Sequence, residues 1–278
     1  MADAGAETVR WHNPAPFPQR YACHYPFQPF GDWRLAAPGM SLDRKLFTRR
    51  LKHGIKDLLG PLAYRNRSYA QEGEDLILRR IFEKRRGGFY VDIGSHHPFR
   101  FSNTYAFYRR GWRGLCVDPL PGSAARFKRW RPRDITLEVG VSQHASDLTY
   151  FMFNEAAVNT FSAEMAALRD GRNNWRILEQ RRIATQPLAY LLDTHLPKPA
   201  PEIDFMSVDV EGLDLEVLQS NDWQRHRPRI VIAECLNSAI SQWRNDPVVR
   251  FMSECNYFPV AKTVHSVFFL RDSEELAV

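Results

Sequence analysis

Three short apolar runs in this chain end in acids. FYVDIGSHH (89–97) carries Asp92 just before Gly94, GLCVDP (114–119) reaches Asp118, and IDFMSVDVEG (203–212) delivers Asp209 and Glu211. Apolar and β-branched residues follow one another in each run without alternation, the pattern of a strand buried on both faces of a parallel sheet. Open sheets of that kind hold their ligands beyond the carboxyl ends of the strands. Gly94 lets the backbone approach a bound molecule, and a helix opening near Ser102, Asn103 and Thr104 would offer free N–H groups to an anion.

Carboxylates on three strand tips suit a nucleoside carrying positive charge better than they suit a pyrophosphate. S-adenosylmethionine, with its ammonium and sulfonium, meets that description. Asp118 lies 24 residues beyond Gly94, near the spacing at which such folds place an acid on ribose hydroxyls. A dinucleotide site would want several glycines, and DIGSHH has one, so a nicotinamide-dependent oxidoreductase is the poorer alternative.

The elements that must position these acids follow from the rest of the pattern. The segment SYAQEGEDLILRRIFEK starts with Ser68 as a plausible N-cap and then shows helical spacing, so it should cover one face of the sheet. Helices are expected over 102–110, 123–130, 213–218 and 247–255, and a further strand over 135–142. LTYFMF (148–153) reads as an added strand, and the polar stretch 154–180 as a cap over the site. RRIATQPLAYLLDTH (181–195) gives a short strand and a helix, and RIVIAEC (229–235) another strand. YFPVAK and SVFFLRD should close the chain as an antiparallel hairpin. The fold expected is α/β: a doubly wound, mostly parallel seven-stranded sheet with one reversed strand.

Residues 1–67 are expected to stand apart from a domain spanning 68–278. Residues 1–40 are rich in proline and aromatics without a period, and Ser41 to Leu59 reads as a basic amphipathic helix. Such a helix suits contact with an anionic membrane surface, or docking on the core or on a second subunit. A net charge of +6 allows an anionic partner, but the basic runs 49–56, 79–86 and 126–133 are scattered and read as solvated helix faces. The four cysteines have no metal-type spacing, and Cys116 and Cys235 sit in apolar strands as small hydrophobes. There is no apolar run of 18 residues, and MADAGAETVRWHNP lacks the core of a secretion signal, so a cytoplasmic protein is expected.

SYAQEGED (68–75), FYVDIGSHHP (89–98), SNTYAFYRRGWRGLCVDP (102–119), VGVS (139–142), NTFS (159–162) and IDFMSVDVEGLDLEVLQSNDW (203–223) resemble, in this order, the FkbM family of S-adenosylmethionine-dependent methyltransferases. The resemblance implies a class I methyltransferase fold and O-methylation of a hydroxyl on a sugar, polysaccharide or natural product. Carried onto this chain, it puts Asp92, Gly94 and Ser95 at the methionine end of the cofactor, with Asn103 near its carboxylate and Asp118 on its ribose. Glu138 and Val139 would lie near the adenine, and Asp209 with Glu211 beside the sulfonium methyl.

Methyl transfer to an alcohol aligns oxygen, methyl and sulfur and needs a base for the hydroxyl proton. Glu211 and Asp209 come first for that role and His97 next. Both His96 and His97 equally suit a structural bond holding the turn before Pro98, and Asp209 equally suits the cofactor ammonium. A divalent ion on Asp209, Glu211 and Glu234 would acidify a sugar hydroxyl, but acids at strand ends are routine in such folds and the metal-free reading is preferred. Asn159, Thr160 and Ser162 suit a polyol acceptor, and Trp112 and Trp175 suit stacking on a sugar face. An RNA substrate would need the basic runs gathered into one stripe.

Overall fold

The computed structural model describes residues 65–235 and 243–272, together with residues 60 and 62. The chain divides into two compact units between Tyr64 and Arg65, and the sheet and its helices belong to the second. The irregular arm and the helix expected from Ser41 to Leu59 lie outside the described residues, as does Cys23.

Helix α1 (Glu74–Ile81) leads into strand β1 (Phe89–Ile93), followed by the helical turn α2 (Tyr105–Tyr108) and β2 (Arg113–Val117). Helix α3 (Ser123–Trp130), strand β3 (Ile135–Leu137), the short β4 (Gly140–Val141) and β5 (Ser146–Phe153) come next. Then follow α4 (Ala163–Arg169), β6 (Ile177–Gln186), α5 (Leu188–His195), β7 (Phe205–Val208), α6 (Asp214–Gln219) and β8 (Ile230–Glu234). Helix α7 (Pro247–Glu254) and strands β9 (Tyr257–Lys262) and β10 (Ser266–Arg271) end the order.

Seven strands form the main sheet in the order β3-β2-β1-β7-β8-β10-β9. All neighbours in it are parallel except at β10, which runs antiparallel to both β8 and β9. The doubly wound sheet with a C-terminal antiparallel hairpin is therefore present. All five residues of β1 are buried, and side chains that alternate along it feed two cores. Phe89, Val91 and Ile93 pack with Leu188, Leu192 and Met252 on one face. Tyr90 packs with Leu78, Phe107 and Trp112 on the other.

Several sequence expectations are corrected. Ser68 does not cap α1; the helix starts after Gly73, while the Ser68 hydroxyl donates to Asp75 at 2.5 Å. The run 135–142 is two strands, because Gly140 leaves the main sheet and pairs with Thr185. A β-carbon at Gly140 would sit 2.7 Å from the Phe161 ring and the Thr185 methyl, so close packing requires glycine there. The strand expected over 148–153 is present as part of β5, and β4, β6 and β5 form a separate three-stranded sheet in that order. Part of the stretch expected as a cap is the start of β6, and the helix expected over 102–110 has only four helical residues. Among the described residues no helix is long and apolar enough to cross a membrane.

Candidate active site

Register brings the strand tips level. Ile93, the last residue of β1, pairs with Val117 of β2 on one side and Val208 of β7 on the other, so Gly94, Asp118 and Asp209 leave the sheet side by side. The strand order reverses between β1 and β7, the place where an open sheet leaves a crevice for a ligand. Gly94, His96 and Phe101 line that crevice from the first loop, and Val117 to Leu120 from the second. Val139, Val141, Tyr150, Asn159 and Phe161 close its far wall, with Asp209, Val210 and Glu211 opposite. Counting its open mouth, the cleft holds about 780 Å³ of space between atoms.

The acids here are crowded. Asp118 is buried and takes backbone N–H groups from His96 at 2.7 Å and Leu120 at 2.9 Å. Burial outweighs those bonds and raises its carboxyl to about 6. Asp209 is reached from the cleft but walled by protein; that burial, then the charges of Glu211 and Asp214, push it well above the usual carboxylate range. Its carboxylate makes no hydrogen bond among the described residues. Glu211 is ion-paired with Arg169, and its backbone carbonyl accepts the Thr160 hydroxyl at 2.8 Å. Its φ of 57° is in the left-handed region, which a non-glycine residue adopts at a cost and which recurs at functional sites. The turn is held by Asp214, which accepts the N–H groups of Val210 and Gly212, each at 3.2 Å. Glu234, at the end of β8, is raised to about 10 by burial and then by Asp209, Asp214 and Glu211. Carboxylate oxygens of Asp209, Glu211 and Glu234 lie within 4.8 Å of one another.

Other residues expected at the site stand elsewhere. Asp92 shares its sheet face with Tyr90, and its buried carboxylate accepts the Thr104 hydroxyl at 2.6 Å without lining the cleft. The Ser95 hydroxyl turns to the Val117 carbonyl at 3.4 Å, and the Asn103 amide donates to the Ser207 hydroxyl at 2.9 Å. Glu138 accepts from the N–H groups of Gly122 and Ala124 and so closes the start of α3, while Val139 faces the cleft. His97 accepts the N–H groups of Phe99 and Arg100 on Nδ1, the turn-holding role. His96, by contrast, lines the cleft with its Nε2 buried and unpartnered among the described residues. Burial, then the charges of Arg100 and His97, lowers its ring to about 4, so it is neutral at pH 7. Thr160 is spent on Glu211, Ser162 caps α4 through the Met165 N–H, and Asn159, on the cleft wall, accepts the Phe153 N–H on Oδ1 at 2.7 Å. Trp112 is buried in the core and is not a stacking surface; of the exposed aromatic rings Phe101 lines the cleft, and Phe99 packs on His97 at 4.5 Å, neither with a periodic sequence signal.

The donor set fits S-adenosylmethionine. Asp118 offers acceptors for ribose hydroxyls, Val139 and Leu120 offer apolar packing for a base, and Asp209 and Glu211 offer negative charge for ammonium and sulfonium. His96 Nε2 is a further polar atom for a ligand to meet.

The model of the methyltransferase FkbM domain matches residues 92–259. Among solved structures, methyltransferase FkbM from Methylobacillus flagellatus KT is similar with 11% identity and a TM-score of 0.41, over 66% of this chain and 44% of that one. This chain thus spans less than half of that protein. A TehB-like SAM-dependent methyltransferase from Corynebacterium glutamicum ATCC 13032 Kitasato is similar with 10% identity and a TM-score of 0.37, over 82% of this chain and 100% of that one. No curated protein matches the chain.

Proposed function

The chain belongs to the FkbM methyltransferase family, and on that premise we propose that it transfers the methyl group of S-adenosyl-L-methionine to a hydroxyl oxygen of a sugar, polysaccharide or natural-product acceptor. The observation that carries this reading is the level placement of Gly94, Asp118 and Asp209 around one acid-lined cleft. When bound, the cofactor supplies an electrophilic methyl group on sulfonium. Asp118 accepts the ribose hydroxyls; each of its oxygens already takes one backbone N–H and keeps a lone pair for another. Val139 and Leu120 pack against the base. Glu211, fixed by Arg169, presents negative charge to the ammonium.

Asp209 takes the hydroxyl proton of the acceptor. Its carboxylate has no hydrogen-bond partner among the described residues, and burial with the neighbouring charges of Glu211 and Asp214 raises its affinity for a proton above that of an ordinary carboxylate, which makes it a stronger base. The acceptor enters from the mouth beside Phe101 and Asn159. The test is incubation with S-adenosyl-L-methionine and a panel of neutral and acidic sugars, polyketides and short RNAs, following S-adenosylhomocysteine and the mass of each acceptor. Gain of one methyl group on a hydroxylated glycan or natural product is expected. Methylation of RNA alone, or of nitrogen alone, would overturn the assignment.

A further inference from the structure

Away from the cleft, Arg67, Arg79, Arg80, Arg109 and Arg110 line one groove between α1 and α2. Among the described residues its only acid is Glu83, which pairs with Arg80 at 2.6 Å. Among the described residues the other four guanidinium groups have no carboxylate partner, so the groove holds a concentrated positive charge. All five cations are arginines, whose planar forks bind oxyanions through two parallel hydrogen bonds, where lysine would give a point charge.

The groove is joined to the cleft. Tyr69 lies in the groove and Gln71 in the cleft, two residues apart and so within roughly 7 Å along the chain. The Tyr69 carbonyl also accepts the Ser102 N–H at 2.9 Å, next to Phe101 on the cleft wall. Rings mark out the same path: Tyr69 packs on Tyr105 at 4.7 Å, Tyr105 on Phe99 at 5.9 Å, and Phe99 on His97 at 4.5 Å. Tyr69 is fixed from below, its N–H donating to Asp75 at 2.9 Å, so the groove is held on a rigid support.

We propose that this arginine groove is a subsite for the acceptor, and that the acceptor is an extended glycan bearing oxyanion groups. The negative groups rest on the groove while a hydroxyl further along reaches Asp209; the proposal rests on the methyl-transfer reading above and deepens it. A nucleic acid fits less well. The guanidinium groups of Arg67 and Arg109 lie 5.1 and 5.8 Å from the centre of the Tyr69 ring, and Arg109 also donates to the Tyr69 hydroxyl, so the groove's own aromatic is already engaged by cations where a base would have to stack. The groove reads charge, and the sugar faces meet the exposed rings of Phe99 and Phe101.

The test compares the full chain with an Arg67→Glu, Arg110→Glu double variant, both groups being exposed. Binding of fluorescent oligogalacturonate (carboxylates), a phosphomannan fragment (phosphates), neutral dextran, poly(U) and vesicles containing phosphatidylserine is measured at low and at moderate salt. At least one acidic glycan should bind tenfold or more tighter than dextran, weaken with salt, and lose that advantage in the variant; which acidic probe does so distinguishes carboxylate from phosphate. Equal binding of acidic and neutral glycans, or an unchanged variant, overturns the proposal. Tighter binding of poly(U) or vesicles than of either acidic glycan overturns the assigned class. S-adenosyl-L-methionine affinity is measured in parallel. It should agree within twofold between the two proteins, which shows that the variant is folded, and its absence in the unmodified chain would refute the methyl-transfer reading while leaving the groove result to stand by itself.

Discussion

The backbone carbonyl oxygen of Asp209 lies 1.7 Å from where a β-carbon on residue 94 would be. Gly94 also has a φ of 79°, a conformation costly for any side chain. One position therefore carries two independent demands for glycine, and both come from the closeness of the β1 and β7 tips that creates the cleft.

Gly94→Ala should consequently destabilise the protein by roughly 2–5 kcal/mol, summing about 1–2 for the left-handed backbone and about 1–3 for overpacking. Urea unfolding measures the loss, and binding of the cofactor should fail even where the variant folds. A variant with native stability and affinity would mean the tips do not hold the ligand.

Asp209→Asn keeps shape and removes the proton acceptor. The maximal rate of methyl transfer should fall roughly 10²–10⁴-fold, with a much smaller change in cofactor affinity. Rate and affinity falling by the same factor would instead assign Asp209 to cofactor binding.

Glu234 has a carboxyl raised from 4.5 to about 10, and one of its oxygens is buried without a partner among the described residues. Because the folded value exceeds the unfolded one, its contribution to stability is full below about pH 4.5 and is lost as pH rises toward 10. Glu234→Gln removes that loss. At pH 8 the variant should melt about 2–4 °C higher, the size of a gain of order 1 kcal/mol in a domain of this length. The difference should vanish near pH 4.5; a variant less stable at pH 8 would show that the ionised group is satisfied.

Chelation should leave the rate unchanged. Glu211 already faces Arg169, and the proposed transfer asks only that Asp209 take a proton. A rate abolished by EDTA and restored by magnesium would reassign Asp209, Glu211 and Glu234 to a metal.

Strands that run through the core were legible because burial on both faces leaves an unbroken apolar run: β1, β2, β7 and β8 were all expected where they lie. So was the terminal hairpin. β6 was only partly expected, because most of its side chains are exposed and its pairing with β5 supplies what composition does not. The run 126–133 reads as a solvated face, and Arg129 is exposed, yet Arg131 is fully buried. It is paired with Asp134 at 2.7 Å and bonded to the Tyr90 hydroxyl at 2.9 Å. Tyr90 lies far away in sequence, so no local pattern could reveal this. At the site, the acids of β2 and β7 follow from strand ends, but whether Asp92 faces the cleft depends on which of two sheet faces it takes. His96 and His97 differ only through a turn with φ of 50° at His96, and types and spacing cannot tell which ring enters the cleft.

Calorimetric titration of the full chain with S-adenosyl-L-methionine at pH 5.5 and pH 8 tests the central claim most directly. Asp118, at about 6, is partly protonated at the lower pH, and hydrogen bonds from ribose hydroxyls favour its ionised form, so binding should release protons and tighten as pH rises. One saturable site is expected at pH 8, weakened about 10–100-fold by Asp118→Ala, the worth of a charged hydrogen bond. No heat at either pH, or binding indifferent to Asp118, would contradict a cofactor held by level acidic strand tips.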